Sequence, residues 1–309
     1  MKAIAEAPSK AIITGEHFVV HGAWALAAAL PRKVRVEVSE SADFRVVSDK
    51  FSRVGASGLH PIAGVVGTMA REFSFDPHLT LSISSEVPEG AGLGSSASTM
   101  VAIASAVARF RSLDLQPSDI VRFSMVGERE VHGRPSGIDA AACTIGGVLL
   151  FRPGTHPKKV SLRGERSLIV AFSGKKRSTK HQIRRVASVK ETFPSLFGGL
   201  TEAASELSLM AAKRLADGDM RGLGRLLNFN HAVLSMLGVS NRPLDRLVDL
   251  VLSLGAYGAK LTGAGGGGSV VVVAPEGKEK SIISGLKERG FEAFRAEIPV
   301  DGVKSWLER

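Results

Sequence analysis

Cysteine is almost missing from this chain of 309 residues, where Cys143 stands alone. A single thiol excludes an internal disulfide and any zinc centre built on several cysteines. Aromatic side chains are scarce too. Two Trp and one Tyr leave little surface on which nucleic-acid bases could stack. No apolar run approaches the roughly 20 residues of a membrane-spanning helix. The run Val270-Val271-Val272-Val273-Ala274 suits only a buried strand. The start, Met1-Lys2-Ala3-Ile4-Ala5-Glu6, lacks the apolar core and cleavage site of a secretory leader. These absences point to a cytoplasmic protein with no membrane partner.

The chain does have ample core material. Hydrophobic residues make up 44% and charged residues 23%, a globular balance that predicts two domains at this length. The formal charge is +10, which raises the question of an acidic partner such as nucleic acid. Most basic residues are dispersed. The exception is Lys175 to Arg185, which reads as a solvated helix start, a nucleic-acid patch or the wall of a pocket for anions. Alternating stretches predict strands at Val34–Val38 and Leu79–Ser85. Further strands are expected at Ala11–Thr14, Gly146–Phe151, Ser167–Phe172, the Val270 run and Phe291–Ile298. Helices are predicted over Ser95–Phe110, from Pro117 through Glu128, over Leu200–Ala216, Arg221–Leu237 and Leu244–Leu254, and from about Lys278 to Arg289. Strands and helices without a regular βα repeat indicate an α+β fold. A composition shift at Arg152-Pro153-Gly154 places the domain boundary near residue 157, giving units 1–157 and 158–309.

Three glycine-punctuated segments carry the chemistry. The first runs Pro88-Glu89-Gly90-Ala91-Gly92-Leu93-Gly94-Ser95-Ser96. Glycines at alternate positions permit the φ values that turn successive N–H groups toward one anion. The helix that follows adds its positive end, and the serine hydroxyls can bind phosphate or magnesium. A plain strand-to-helix turn does not need this many glycines and serines. It is not a Walker A loop, since no Gly-Lys-Ser/Thr follows.

The second segment, His132 to Asp139, ends in a carboxylate on a Pro135-Ser136-Gly137 turn. Such a carboxylate either caps the backbone or takes a proton from a reacting hydroxyl. Upstream, Glu128 is a candidate magnesium ligand, or a surface charge paired with Arg129 or Lys190. Lys10 is an exposed lysine, or the cation that keeps Asp139 ionised.

The third segment is Lys260-Leu261-Thr262-Gly263-Ala264-Gly265-Gly266-Gly267-Gly268. It satisfies G-x-G-x-x-G literally, but a strand follows it and a helix precedes it, the reverse of a dinucleotide fold. It reads as a loop closing over a ligand, or as a tight bend between packed backbones. His17 and His21 lie four apart without the H-E-x-x-H pattern, so a zinc pair is not favoured. Glu16 and His17 suit polar contacts to a small hydroxylated acid. Together these segments suggest phosphoryl transfer from a nucleotide to a small molecule.

In this order the motifs resemble those of the GHMP small-molecule kinases, end to end. Ala7 to Gly22, with its Glu16-His17-x-Val19-Val20-x-Gly22 ending, is similar to the branch that phosphorylates mevalonate. Galactose-specific members continue Glu-His-Thr-Asp, and phosphomevalonate-specific members usually carry Tyr after the Glu. Ser9, Ala140 and Ser98-Thr99 depart from common family residues, the last on the adenine side. The resemblance implies an S5-like N-terminal domain beside a ferredoxin-like C-terminal domain, with ATP and Mg²⁺ between them. It implies Asp139 as base and Lys10 as its partner. Pro88, Gly90, Ala91, Gly92, Leu93, Gly94, Ser95 and Ser96 would bind phosphate, and Ser96 with Glu128 would hold Mg²⁺. Glu16, His17, Arg177, Thr179, Gly263 and Ala264 would line the acceptor site. A homodimer is compatible with the family. Two alternatives remain: another acceptor, such as phosphomevalonate or a sugar, and an S5-like nucleic-acid binder using the basic run.

Overall fold

Strand β1 (Lys2–Thr14) is almost wholly buried, and the expected strand at Ala11–Thr14 is only its end. Covered on both faces, it carries Ala and Ile at neighbouring positions instead of alternating apolar with polar. The structure, a computed structural model, describes residues 1–48, 51–54, 60–175 and 179–308. β1 runs antiparallel to β2 (Ala25–Glu40), with a break in register between Pro8 and Ser9. Such irregularities re-aim side chains, and this one falls two residues before Lys10.

The hairpin β3 (Arg45–Ser48) and β4 (Phe51–Val54) precedes α1 (His60–Phe73) and β5 (Leu79–Ser85). After the first glycine loop come α2 (Ser95–Phe110), α3 (Pro117–His132), α4 (Ile138–Ile145), β6 (Val148–Phe151) and β7 (Lys158–Lys159). The far half of β2 pairs with β5 and its near end with β6. Helix α2 packs on β1 and β2 and against α1, α3 and α4. Its buried face is mostly Ala and Val, and such small side chains let a helix sit close to a sheet.

The second half contributes β8 (Arg166–Phe172), α5 (Thr179–Thr192), α6 (Pro194–Asp217), α7 (Met220–Met236), α8 (Arg242–Ser253), β9 (Gly258–Leu261), β10 (Ser269–Val273), α9 (Glu279–Lys287), β11 (Ala293–Ile298) and β12 (Lys304–Glu308). Helix α8 starts two residues before the expected Leu244. Asn241 caps it, accepting from the Leu244 amide at 3.1 Å, and Pro243 occupies the first turn. The second sheet has the order β11-β8-β10-β9 and is antiparallel throughout. Among the described residues the first has eight strands, with β12-β1-β2-β5-β3-β4 in line, β6 beside β2 and β7 beside β6. The arrangement is α+β. We propose residues 1–157 and 158–309 as its two domains, with β7 and β12 of the second seated in the sheet of the first. Among the described residues no helix is long and apolar enough to cross a membrane.

Candidate active site

Gly90, Gly92 and Gly94 all adopt left-handed backbone, at φ 73°, 83° and 74°. At Gly94 the space is also taken. A Cβ there would lie 2.7 Å from Lys10 Cε and 2.9 Å from its Cγ. The missing side chain is therefore the channel through which the Lys10 stem passes. The Lys10 amide donates to the Leu93 carbonyl at 3.0 Å, which stitches β1 to the loop. The Ser98 hydroxyl lies 2.9 Å from the Pro8 carbonyl and 3.0 Å from that of Gly94. Helix α2 starts after Gly94 with no side-chain cap. Its first-turn N–H groups keep the anion-binding capacity of a helix start.

Asp139 is not on a turn, as its Pro-Gly neighbourhood suggests, but in the first turn of α4. Gly137, at φ 89°, redirects the chain, and the buried run Ala140-Ala141-Ala142 then continues as helix. Its Oδ1 lies 3.0 Å from Lys10 Nζ, with side-chain exposures of 30% and 1%. Lys10 is thus buried, in contrast to a lone lysine at a strand. Glu128 on α3 is also buried. It accepts a hydrogen bond from Ser96 and lies 3.9 Å from His132 Nε2, so it is a buried carboxylate and not a surface charge. Burial, reinforced by the Asp139 charge, pushes the Glu128 carboxyl up to about 7, against the opposing pull of the Ser96 hydroxyl and Lys10. A carboxylate and a hydroxyl side by side supply the hard oxygen donors that magnesium takes. The residues present fit that ion.

Lys10, Glu128 and Asp139 form the polar end of a cavity of about 660 Å³. Val19, Ile183 and Val186 give it an apolar wall, and His17, Thr179, Gly263 and Ala264 also line it. His17 holds φ 65°, and its Nε2 lies 3.0 Å from the Ala264 carbonyl oxygen. Glu16 lines the cavity as well, but its carboxylate is engaged. It pairs with Lys260, and Asn230 Nδ2 donates to it at 3.5 Å. Lys260 and Asn230 are residues that sequence reasoning missed; the one signal was a lysine inside the otherwise apolar β9. Arg177 lies outside the described residues.

Residues 88–95 do not line this cavity. Lys10 and the Ser96–Glu128 contact join the loop to it, while Pro88, Ala91 and Leu93 face Val170, Phe172 and Phe294 across a narrow crevice. The third glycine loop joins antiparallel strands β9 and β10, so a strand, not a helix, directly precedes it. The tight-bend reading holds at one of its glycines. Gly263 faces the cavity. Gly265 is a tight approach of backbones, where a Cβ would lie 2.2 Å from the Val239 carbonyl oxygen. Among the described residues no group of three or more His, Cys, Asp or Glu could hold a metal ion.

A lysine-held aspartate and a glycine loop on one cavity, with a second glycine loop tied to it through Lys10, are the arrangement expected of a small-molecule kinase. The chain belongs to the GHMP kinases: the family models for the GHMP kinases N terminal domain and the GHMP kinases C terminal match residues 60–147 and 211–292. Within the family its similarity runs to mevalonate kinases. It is 36% identical to that of Aeropyrum pernix, over 97% of each chain. It is 32% identical to that of Thermococcus sibiricus, over 98% of each. The crystal structure of L. major mevalonate kinase in complex with R-mevalonate superposes with a TM-score of 0.82 at 28% identity, over 96% of each chain.

Proposed function

We propose that this chain transfers the γ-phosphoryl group of ATP to the 5-hydroxyl of mevalonate. The observation that carries the reading is the Asp139 carboxylate, part-exposed in the cavity and 3.0 Å from a buried lysine. The acceptor hydroxyl gives its proton to Asp139 as its oxygen attacks the γ-phosphorus. The bond from that phosphorus to the β,γ-bridging oxygen breaks, and ADP leaves. Lys10, 3.0 Å away, holds the carboxylate in place. The amides of the Gly90–Ser96 loop and the start of α2 face the phosphate chain and stabilise its charge. Catalysis of this kind is mostly positioning and electrostatics. Glu128 and Ser96 would hold Mg²⁺, which when bound neutralises charge on the phosphate oxygens. His17, Thr179, Gly263 and Ala264 contact the acceptor, with Arg177 as a further cation toward its carboxylate.

An ADP-release assay with MgATP across mevalonate, phosphomevalonate and galactose tests this. Turnover of mevalonate alone is expected. Turnover of one of the others only would replace the acceptor. Salt-sensitive nucleic-acid binding without ADP release would replace the enzyme reading altogether.

A further inference from the structure

Lys260 plays no part in the chemistry above, yet it is completely buried. A lysine cannot be enclosed cheaply unless its charge is answered. The answer comes from Glu16, on the turn after β1, itself 1% exposed. Lys260 Nζ also donates to the Ile12 carbonyl at 3.4 Å. Two residues on, the Thr262 hydroxyl donates to the same Ile12 carbonyl at 2.9 Å and accepts from the Ile12 amide at 3.0 Å. Asn230 of α7 donates to the second Glu16 oxygen. The second sheet therefore grips residues 12–16 of the first from several sides.

What it grips is a turn that the backbone alone would not choose. Gly15 sits at φ 94°, and a Cβ there would lie 2.6 Å from Ala25 Cβ. His17 holds φ 65° without being glycine. Such a conformation persists where the surroundings over-determine it. Glu16 lies between these two residues and is the anchored one. The outcome is a His17 ring set against Ala264 on the cavity wall.

We propose that Lys260 is a positioning residue for phosphoryl transfer. Acting through Glu16, it holds the Gly15–His17 turn in register with the third glycine loop and so shapes the acceptor end of the cavity. The proposal rests on the reading of that cavity as the acceptor site.

Lys260→Met alone leaves Glu16 as an unpaired buried carboxylate, so its loss of activity could be loss of fold. The informative protein is the double variant Glu16→Gln/Lys260→Met, which buries no charge. It should melt as a folded protein, with KM for mevalonate raised about tenfold or more and with kcat and KM for ATP within about threefold of the parent. His17→Ala should show the same split, and adding it to the double variant should cost little more. A folded double variant with the parent's KM for mevalonate overturns the proposal, as does a fall in kcat at unchanged KM. Failure of the double variant to fold also overturns it, since the pair would then hold the fold and not the turn. The parent protein, assayed alongside, separates the two questions. If it does not phosphorylate mevalonate, the acceptor reading fails, and the same comparison is made with the acceptor found in the screen.

Discussion

Two lysine–carboxylate pairs lie near the end of β1, and one property separates them: water reaches only one. In the first, Lys10 is 1% exposed and Asp139 30% exposed. In the second, Lys260 and Glu16 are 0% and 1% exposed. The chemistry of the partners is the same, but their freedom is not. Asp139 keeps one edge open to the cavity and can accept a proton from something that enters it. Glu16 cannot turn away without stranding Lys260. Burial and the charge of Lys10 pull the Lys260 ammonium's pKa down, and Glu16 opposes that pull. An open pair suits catalysis, and a closed pair suits register.

The sharpest way to break the comparison is at the open carboxylate. Asp139→Ala should reduce kcat by about 10²–10⁴-fold, as loss of a general base does. ATP binding, measured by calorimetry, should survive, because the loop carrying it is tied to the β1 backbone through the Leu93 carbonyl, not to Asp139. Turnover near that of the parent would remove Asp139 from the base role. The closed pair should respond the other way round. Glu16→Ala or Lys260→Ala leaves a bare buried charge and should cost about 3–5 kcal/mol of stability, read as a lowered urea midpoint. Asp139→Ala should move that midpoint less, since water can enter and solvate Lys10. Equal shifts would mean that exposure does not separate the pairs.

Much of the open site is legible in the sequence, and for a physical reason. Positions that need left-handed backbone, such as Gly90, Gly92 and Gly94, admit few residues besides glycine, so the loop announces itself. Helix α3, which carries Glu128, is legible from Pro117-Ser118-Asp119 at its start. Pro117 takes the first turn, and Asp119 completes a capping box with Gln116. The closed pair is not legible. Its members are 244 residues apart, and nothing local to either names the other. Helix α1 escaped for a different reason. Gly64 and Gly67 lower its intrinsic helix propensity, and its packing against α2 and α3 outweighs that. Strand β12 escaped because its pairing with β1 is long-range and its own residues are mostly exposed.

Glu128 is an intermediate case, buried like Glu16 but with a hydroxyl as its hydrogen-bond donor and, among the described residues, no lysine in direct contact with it. With its carboxyl pushed up to about 7, the folded protein keeps a proton that the unfolded chain releases above its ordinary value of 4.5. Between these two pH values the folded state binds more protons, so stability falls as pH rises and levels off above about 7. In magnesium-free buffer the loss should be of order 3 kcal/mol across that window. It should vanish in Glu128→Gln, which cannot ionise. Urea midpoints at pH 5 and pH 7.5, in both proteins, read this directly. A parent whose midpoint does not fall over that range would mean that Glu128 is ionised throughout.

The smallest effect is expected where burial is complete and no charge exists to answer it. Cys143 lies one helical turn beyond Asp139 on α4, with its Sγ 3.4 Å from Ser98 Oγ. A reactive thiol needs a positive, partly open setting, and Cys143 is buried. Burial pushes it up to about 12, with the Ser98 hydroxyl opposing and the Asp139 charge adding to the rise. At pH 8 the thiol stays protonated, and the thiolate is the reactive form. Iodoacetamide should therefore leave the native enzyme at full turnover and label Cys143 only in urea. Cys143→Ala should cost about 1 kcal/mol from the lost packing and leave kcat unchanged. Rapid inactivation by iodoacetamide at pH 8 would require α4 to open in the native state. The open character of the Lys10–Asp139 pair would then come from motion of that helix, not from the exposed edge of one carboxylate.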